Sequence, residues 1–359
     1  MLKPDYARFL EARHQAHVAF VHDYLSPILN SGRPITIGTH NEKFHADEVV
    51  AIVLLTLLID RLGGTYEIHR LERSSADNDR MDILVDTGRV YDPLRGRFDH
   101  HQPDGAGCRI DRSGRPDVPF SSCGLVWFAC GLVLTGEVDS RTDTPAFDTF
   151  DWGVIRGVDA SDNGYITSRS RTERPPALDA DKVFYGPMAH LSKLIGQANG
   201  RNIHDHAEQM RRFLKEIEVR RYEMSKSLED ATLFAQDRKM VRAAVDAQRH
   251  GDCRDILFLD EYVRWSDHLP GMHTASHVRI VITKVAESGA MWNVQIVNRR
   301  SQYATALPPT SWRGLEGAAL EAASGIAGLT FCHAHGQIIR ANSRDAALQA
   351  ALFLLTQPT

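Results

Sequence analysis

Apolar residues recur at a helical period over residues 6 to 30, where Phe9, Ala12, Ala16, Phe20 and Leu25 stand among charged neighbours, so the chain is expected to open with a helix. Pro34-Ile-Thr-Ile-Gly38 then reads as a short strand that delivers the chain to Thr39-His40-Asn41. Ala46 to Leu62 is apolar nearly all round, the mark of a buried helix, and Gly63-Gly64 ends it. Tyr66 to Leu71 and Met81 to Asp86 follow as strands, the second stopped by Thr87-Gly88. The turn sequence Pro93-Leu-Arg-Gly96 between Val90-Tyr91-Asp92 and Arg97-Phe98-Asp99 predicts a hairpin. Helices are expected at Ser121 to Gly131 and at Phe147 to Val158, the latter ending near Asp159 to Gly164. Strands alternating with helices imply an α/β fold on a parallel sheet.

The pattern changes after Gly164. Residues 165 to 181 are polar and carry a double proline, which reads as a loop or interdomain passage. A long helical region is expected from about 203 to 236. Beyond it, Asp255 to Asp260, Val278 to Val285 and Trp292 to Val297 alternate or cluster as strands, with helices at 315 to 323 and 344 to 356, so a second α/β domain is expected. The resulting organisation is a catalytic domain at 1–165, a linker and long helical connection at 166–236, and a substrate-binding α/β domain at 237–359. A chain of 359 residues fits two domains, because single cores stop growing near roughly 250 to 300 residues.

Composition narrows the class. Hydrophobic residues make up 43% of the chain and charged ones 25%, a globular balance. The longest apolar run, Val49 to Ile59, is broken only by Thr56 and falls short of the roughly 20 residues that span a bilayer. The first residues carry Asp5, Glu11 and Asp23 and lack the apolar stretch of a signal peptide, so a cytoplasmic location without membrane attachment is expected. Five cysteines without a Cys-x-x-Cys pair read as reduced packing residues rather than a disulfide framework or a zinc site. A net charge of −4 argues against neutralising many phosphates along a long duplex. Local clusters at Arg211, Arg212, Arg220, Arg221 and at Arg299, Arg300 could hold a short strand, against the plainer reading as a solvated helix face and a strand end.

Candidate chemistry gathers where a sheet would present it. His40 and His45 follow the first strand, Asp86 ends another, and Asp99-His100-His101 closes the hairpin, and open α/β sheets bind ligands beyond the carboxyl ends of their strands. Asp47 and Glu48 open the buried helix, where the positive end of the dipole favours carboxylates. Taken singly, Asp47 reads as a helix cap and His100 or His101 as an ordinary surface or core histidine. Taken together, these residues exceed the ligand set of one four-coordinate zinc site. Imidazoles and carboxylates without thiolate suit two divalent ions of the manganese or magnesium kind, the arrangement that serves phosphoryl transfer.

The run Ile37-Gly-Thr-His-Asn-Glu-Lys-Phe-His-Ala-Asp-Glu48, with Val85-Asp86, Tyr91-Asp-Pro93, Phe98-Asp-His-His-Gln102, Ser121-Ser-Cys-Gly-Leu-Val126 and Val158-Asp-Ala-Ser-Asp-Asn-Gly164, resembles the DHH phosphoesterase superfamily. Within it, the match is to the melanocyte-proliferating-gene family, extended by Leu259-Asp-Glu261, Trp265-Ser-Asp-His-Leu269, Ser311-Trp-Arg-Gly-Leu315, Ser324-Gly-Ile326 and Phe331-Cys-His-Ala334 over nearly the whole chain after residue 34. The resemblance implies a two-domain α/β architecture with the substrate closed between the domains. It implies His40 and His45 as ligands of a first metal, Asp47 and His100 as ligands of a second, and Asp86 as the bridge. Asp99 would support His100, His101 would face the scissile phosphate, and the last ligand would be Asp162 as first choice or Asp159 as second. In the second domain, the stretch His333 to Asn342 corresponds to the family's phosphate contacts, with His335, Arg340 and Arg313 as candidates. Ile339 and Arg340 stand where the family usually has a double glycine, which leaves a packed strand end with surface charges as the equal alternative.

The activity implied is a metal-dependent phosphodiesterase, an exonuclease on RNA or short oligonucleotides, using two ions of Mn2+, with Mg2+ as the alternative. Two other readings stand beside it: a small-molecule phosphohydrolase acting on pyrophosphate or a nucleotide, and a noncatalytic binding protein that keeps the metals. The expected partners are a short single-stranded RNA or oligonucleotide, or a small phosphorylated substrate, with a homodimer as a further expectation.

Overall fold

The structure, a computed structural model, describes residues 3–137, 141, 143–168, 183–186, 188, 190–201, 204–248, 254–285, 288–297 and 307–356. The chain divides into two compact units, Met1–Leu233 and Phe234–Thr359, and both are α/β.

In the first unit, α1 (Pro4–His17) continues through a π-helical stretch, Val18–Leu25, into α2 (Ser26–Asn30). Next come β1 (Ile35–His40), α3 (Ala46–Arg61), β2 (Tyr66–Leu71), β3 (Ile83–Val85), β4 (Tyr91–Asp92) and β5 (Arg97–Phe98). The sheet order is β2-β1-β3-β5-β4, with every pair parallel except the antiparallel edge pair β4–β5. Such a sheet is buried on both faces. Val49 to Leu55, Leu58 and Ile59 of α3 are accordingly sealed from solvent, each side chain the size of Leu or Ile contributing about 1.5–3 kcal/mol by leaving water. Against α3 packs α4 (Ser122–Thr135), whose Val126, Trp127, Ala129 and Cys130 share the same core.

The rest of the unit comprises the hairpin β6 (Cys108–Ile110) and β7 (Pro116–Pro119), then α5 (Pro145–Phe150), a π-helical stretch Asp151–Ile155, α6 (Arg156–Asp162), β8 (Ile166–Ser168), β9 (Val183–Tyr185) and α7 (Leu191–Gln197). The expected loop at 165–181 is corrected at its start, since β8 pairs in parallel with β9; residues 169–181 lie outside the described residues. Helix α8 (His206–Ala247) runs further than the expected 236. Phe213, Ile217, Met224, Leu228 and Ala231 form its buried stripe in the first unit. Val241 and Val245, one turn apart, are buried with Leu257, Leu259 and Val281 in the second, and this burial extends the helix.

The second unit is built on β10 (Ile256–Leu259), β11 (Ile280–Val285), β12 (Ser288–Ile296), β13 (Leu329–Cys332) and β14 (Ile338–Ala341), in the order β10-β11-β12-β14-β13. Only β10–β11 is parallel. Ile280 and Ile282 face one core with α9 (Gly317–Ser324) and α10 (Arg344–Thr356), while Val281 faces the other with Val241 and Trp265, the period-two pattern of a sheet covered on both sides. Among the described residues, no helix is long and apolar enough to cross a membrane.

Candidate metal centre

Because β1, β3 and β5 are parallel neighbours, their carboxyl ends share one edge of the sheet. His40 is the last residue of β1, Asp86 follows β3, and Asp99, His100 and His101 follow β5. The chain then turns so sharply after β1 that His45 N-caps α3 and sets Asp47 and Glu48 in its first, buried turn. Asp86 sits in the left-handed region at φ 56°. That conformation is uncommon for a residue with a Cβ and is characteristic of functional turns. Its N–H donates to Phe98 O at 3.0 Å and its carbonyl accepts from Arg73 Nη1 at 2.9 Å, which holds the turn.

Asp86 is the centre of the cluster. Its Oδ2 lies 3.1 Å from His40 Nε2 and 3.3 Å from His45 Nε2, while its Oδ1 lies 3.4 Å from His101 Nδ1 and 4.0 Å from His100 Nε2. Each oxygen therefore serves a different set of imidazoles. Asp162, the last residue of α6, reaches His100 Nε2 at 3.0 Å through Oδ2 and His45 Nδ1 at 3.5 Å through Oδ1, and Asp47 Oδ2 stands 3.8 Å from His100 Nε2. Asp159, one helical turn earlier, is directed away to Arg109 and Ser121.

Two residues stand differently from their sequence assignments. The Asp99 carboxylate does not support His100: its Oδ1 accepts from the His101 backbone N–H at 3.0 Å and lies 2.7 Å from His101 Nδ1, while Oδ2 accepts from Arg89 N–H at 2.6 Å. The reason is local, since an aspartate closes a turn most easily on the residue two ahead. Glu48 reads in the sequence only as a helix-opening carboxylate, yet it belongs to the cluster. Its Oε1 accepts from the His45 N–H at 3.0 Å, as a capping box requires, but also lies 3.4 Å from His40 Nε2, and Oε2 lies 3.0 Å from His45 Nδ1. Its placement in a helical first turn with no exposed face is the signal that could have found it.

The residues present fit divalent cations. Among the described residues, Asp86 Oδ1, Glu48 Oε2, His40 Nδ1, His45 Nδ1 and His100 Nε2 are buried and make no well-directed hydrogen bond, even where an imidazole and a carboxylate approach to 3.0 Å, so their lone pairs are left facing one another. Burial would lower both imidazoles, yet Asp86 and Glu48 lift His45 to about 10, and Asp162 and Asp47 lift His100 to about 9. Burial and the neighbouring Asp162 and Asp86 carboxylates push Asp47 well above its ordinary range. Such a cluster calls for positive charge. Donor atoms of His40, His45, Glu48 and Asp86 lie within 4.8 Å of one another, as do those of Asp86, His100 and His101 and those of Asp47, His100 and Asp162.

The remaining candidates lie in the second unit. Gly336, at φ 72°, forms the β13–β14 turn, and a Cβ there would meet Pro308 Cδ at 2.9 Å and Arg313 Nε at 3.3 Å, so the turn packs closely on the Arg313 segment. Arg313 Nε donates to Pro308 O at 3.1 Å, and the His335 N–H donates to His333 Nδ1 at 3.2 Å. Arg340, exposed on β14, donates to Asn293 Oδ1 at 3.3 Å, and Ile339 beside it is buried in the core. The arginine cluster on α8 is paired: Arg211 and Arg212 with Glu208, Arg220 with Glu216 and Glu223, and Arg221 with Asp60. Arg299 and Arg300 lie outside the described residues.

The sequence profile of the MYG1 exonuclease family, described as an uncharacterised protein family (UPF0160), matches residues 36–354. The chain belongs to this family. The MYG1 exonuclease of Homo sapiens is 30% identical over 345 residues, covering 90% of this chain and 86% of that protein. The MYG1 exonuclease of Mus musculus is 30% identical over 346 residues, covering 92% and 87%. The MYG1 protein of Dictyostelium discoideum is 28% identical over 335 residues, covering 90% and 97%. Among solved structures, RecJ in complex with Mg2+ from Thermus thermophilus aligns over 100% of this chain at 12% identity, with a TM-score of 0.24; the chain spans 54% of that protein's length.

Proposed function

We propose that this MYG1 family member is a metal-dependent exonuclease that hydrolyses phosphodiester bonds of RNA or short oligonucleotides, using two divalent ions, manganese in preference to magnesium. The family's mammalian members carry the name exonuclease, and the chain is a hydrolase of phosphoester bonds. The observation that carries the rest is Asp86, a fully buried carboxylate whose two oxygens face His40 with His45 on one side and His100 with His101 on the other. One oxygen per ion is what a bridging carboxylate needs.

In this reading His40, His45 and Glu48 hold one ion, and Asp47, His100 and Asp162 the other. Divalent ions bound there would neutralise the phosphate and supply a nucleophilic water at neutral pH. His101 is 44% exposed at its side chain, and Asp99 fixes its Nδ1, which leaves Nε2 to contact the scissile phosphate. His335 and Arg313, near the β13–β14 turn, and Arg340 are the proposed contacts for the rest of the strand.

The test is direct. Protein loaded with Mn2+ and given a labelled oligoribonucleotide should release mononucleotides, and Asp86→Ala should abolish the release. Turnover of pyrophosphate or free nucleotides with intact oligonucleotides would replace this reading with the small-substrate one. Metal uptake without turnover of any phosphate ester would replace it with a binding role.

A further inference from the structure

The N-terminus of α4 carries two buried carboxylates joined by one serine. Asp47 Oδ1 accepts from the Cys123 N–H at 2.5 Å, and Asp47 Oδ2 accepts from the Ser122 N–H at 3.0 Å. Asp159 Oδ1 accepts from the Ser121 N–H at 3.2 Å and the Gly124 N–H at 3.0 Å. Between them, the Ser121 hydroxyl stands 2.5 Å from Asp47 Oδ1 and 2.5 Å from Asp159 Oδ1, so it lies within donating distance of either carboxylate and links the two. Arg109 closes the far end: its Nη1 donates to Asp159 Oδ2 at 2.5 Å, and its Nε and Nη2 donate to Asp151 at 2.8 and 2.6 Å. Asp47, Ser121, Ser122 and Asp159 are all at most 1% exposed.

We propose that Ser121, Asp159 and Arg109 are positioning residues that aim the Asp47 carboxylate at one ion of the pair, and that Asp159 is not itself a ligand. This rests on the metal-centre reading above. Asp159 is the less suited of the two carboxylates to hold a cation. Its Oδ1 accepts from the Ser121 and Gly124 N–H groups and lies beside the Ser121 hydroxyl, and its Oδ2 is held by a guanidinium whose charge would repel an approaching ion. Asp47 is held from behind, its Oδ1 by Cys123 and the Ser121 hydroxyl and its Oδ2 by the Ser122 N–H, and Oδ2 also looks toward His100 at 3.8 Å. The first N–H groups of a helix are donors without intrahelical partners, and here they are divided between the two carboxylates, so that the helix end and Arg109 together fix the angle of Asp47. Outer partners of this kind orient ligands, and their loss commonly weakens metal binding by about 10- to 100-fold.

Calorimetric titration of Mn2+ into metal-free wild type, Ser121→Ala and Asp159→Asn tests the assignment, with circular dichroism and the urea midpoint verifying each fold. Ser121→Ala removes only the hydroxyl and Asp159→Asn keeps the shape, so each guards against misfolding of the other. The expected result is two binding events in wild type, one of which weakens by about 10- to 100-fold in both variants while the other is unchanged and the stoichiometry is kept. A purely structural role would move the urea midpoint and leave the two events alike. Unaltered binding in both variants, or loss of one whole ion in Asp159→Asn with normal binding in Ser121→Ala, overturns the proposal. If wild type takes up no Mn2+, the metal centre itself falls and this inference with it; normal uptake by wild type beside unaffected variants removes the inference alone.

Discussion

His100 Nε2 lies 3.0 Å from Asp162 Oδ2, and the other oxygen of that carboxylate lies 3.5 Å from His45 Nδ1, so Asp162 faces imidazoles from two separate segments of the first unit. Asp162→Ala should therefore reduce the bound metal by one ion per chain, counted by elemental analysis, and slow phosphodiester hydrolysis by about 100-fold or more. Its side chain is not part of the packed core, so the urea midpoint of the metal-free protein should stay near that of wild type. Full metal content with a normal rate would remove Asp162 from the centre.

Metal removal should be visible in stability. Asp47, Glu48 and Asp86 are each at most 1% exposed and converge on one cluster, an arrangement that is costly without compensating positive charge. An ion that binds only the folded state stabilises it by about 2.7 kcal/mol at a hundred times its dissociation constant. Manganese should raise the urea midpoint of wild type, a chelator should reverse the gain, and Asp86→Asn should lose most of it. An unchanged wild-type midpoint across that concentration range would contradict a divalent site in the folded state.

The sheet-edge half of this centre was legible in the sequence because its residues follow strands whose period and stop signals are clear: His40 after an alternating run, Asp86 before Thr87-Gly88, and Asp99 to His101 after a turn. The choice between Asp159 and Asp162 was not. Both belong to one short helix, and which of them meets His100 is decided by Arg109, which comes from a hairpin that short, polar strands do not announce. Glu48 was hidden because a glutamate at the third helical position explains itself as a cap. Over His333 to Asn342 the sequence left phosphate contacts and a packed strand end as equal alternatives, because Ile338–Ala341 is short and carries Arg340; its pairing with β12 and β13 and the burial of Ile339 make it a strand.

Gly124 makes a prediction that runs against helix propensity. Replacing a helical glycine by alanine ordinarily stabilises by about 1 kcal/mol. Here an added Cβ would meet Asp159 Oδ2 at 2.2 Å and Cγ at 2.8 Å, atoms that Arg109 and Ser121 hold in place. Gly124→Ala should therefore destabilise by about 1–3 kcal/mol, the usual cost of overpacking, read from the urea midpoint. Gly153→Ala, in a helical stretch where a Cβ would meet nothing within 4 Å, serves as the unhindered control and should show the ordinary gain of up to about 1 kcal/mol. Equal midpoints for the two variants would mean that Asp159 can move aside.

His17 should make the first unit sensitive to mild acid. Its ring is buried beneath α4, with Nδ1 3.0 Å from Ala129 O, and burial holds its pKa below the ordinary 6.5; His22 and His14 act in the same direction, while the Ala129 carbonyl opposes them. The unfolded chain then takes up a proton near pH 6.5 that the folded chain accepts only at lower pH. Stability from this group is therefore complete above pH 6.5 and is lost as pH falls through the folded value, at no more than about 1.4 kcal/mol per pH unit. Urea unfolding of wild type and His17→Gln between pH 8 and pH 5 separates this residue from every other titrating group, because only the difference between the two proteins is read. Wild type should be the more stable at pH 8, and the gap should close toward pH 5. A gap that does not change with pH would show that His17 contributes packing and its bond to Ala129 but no proton linkage.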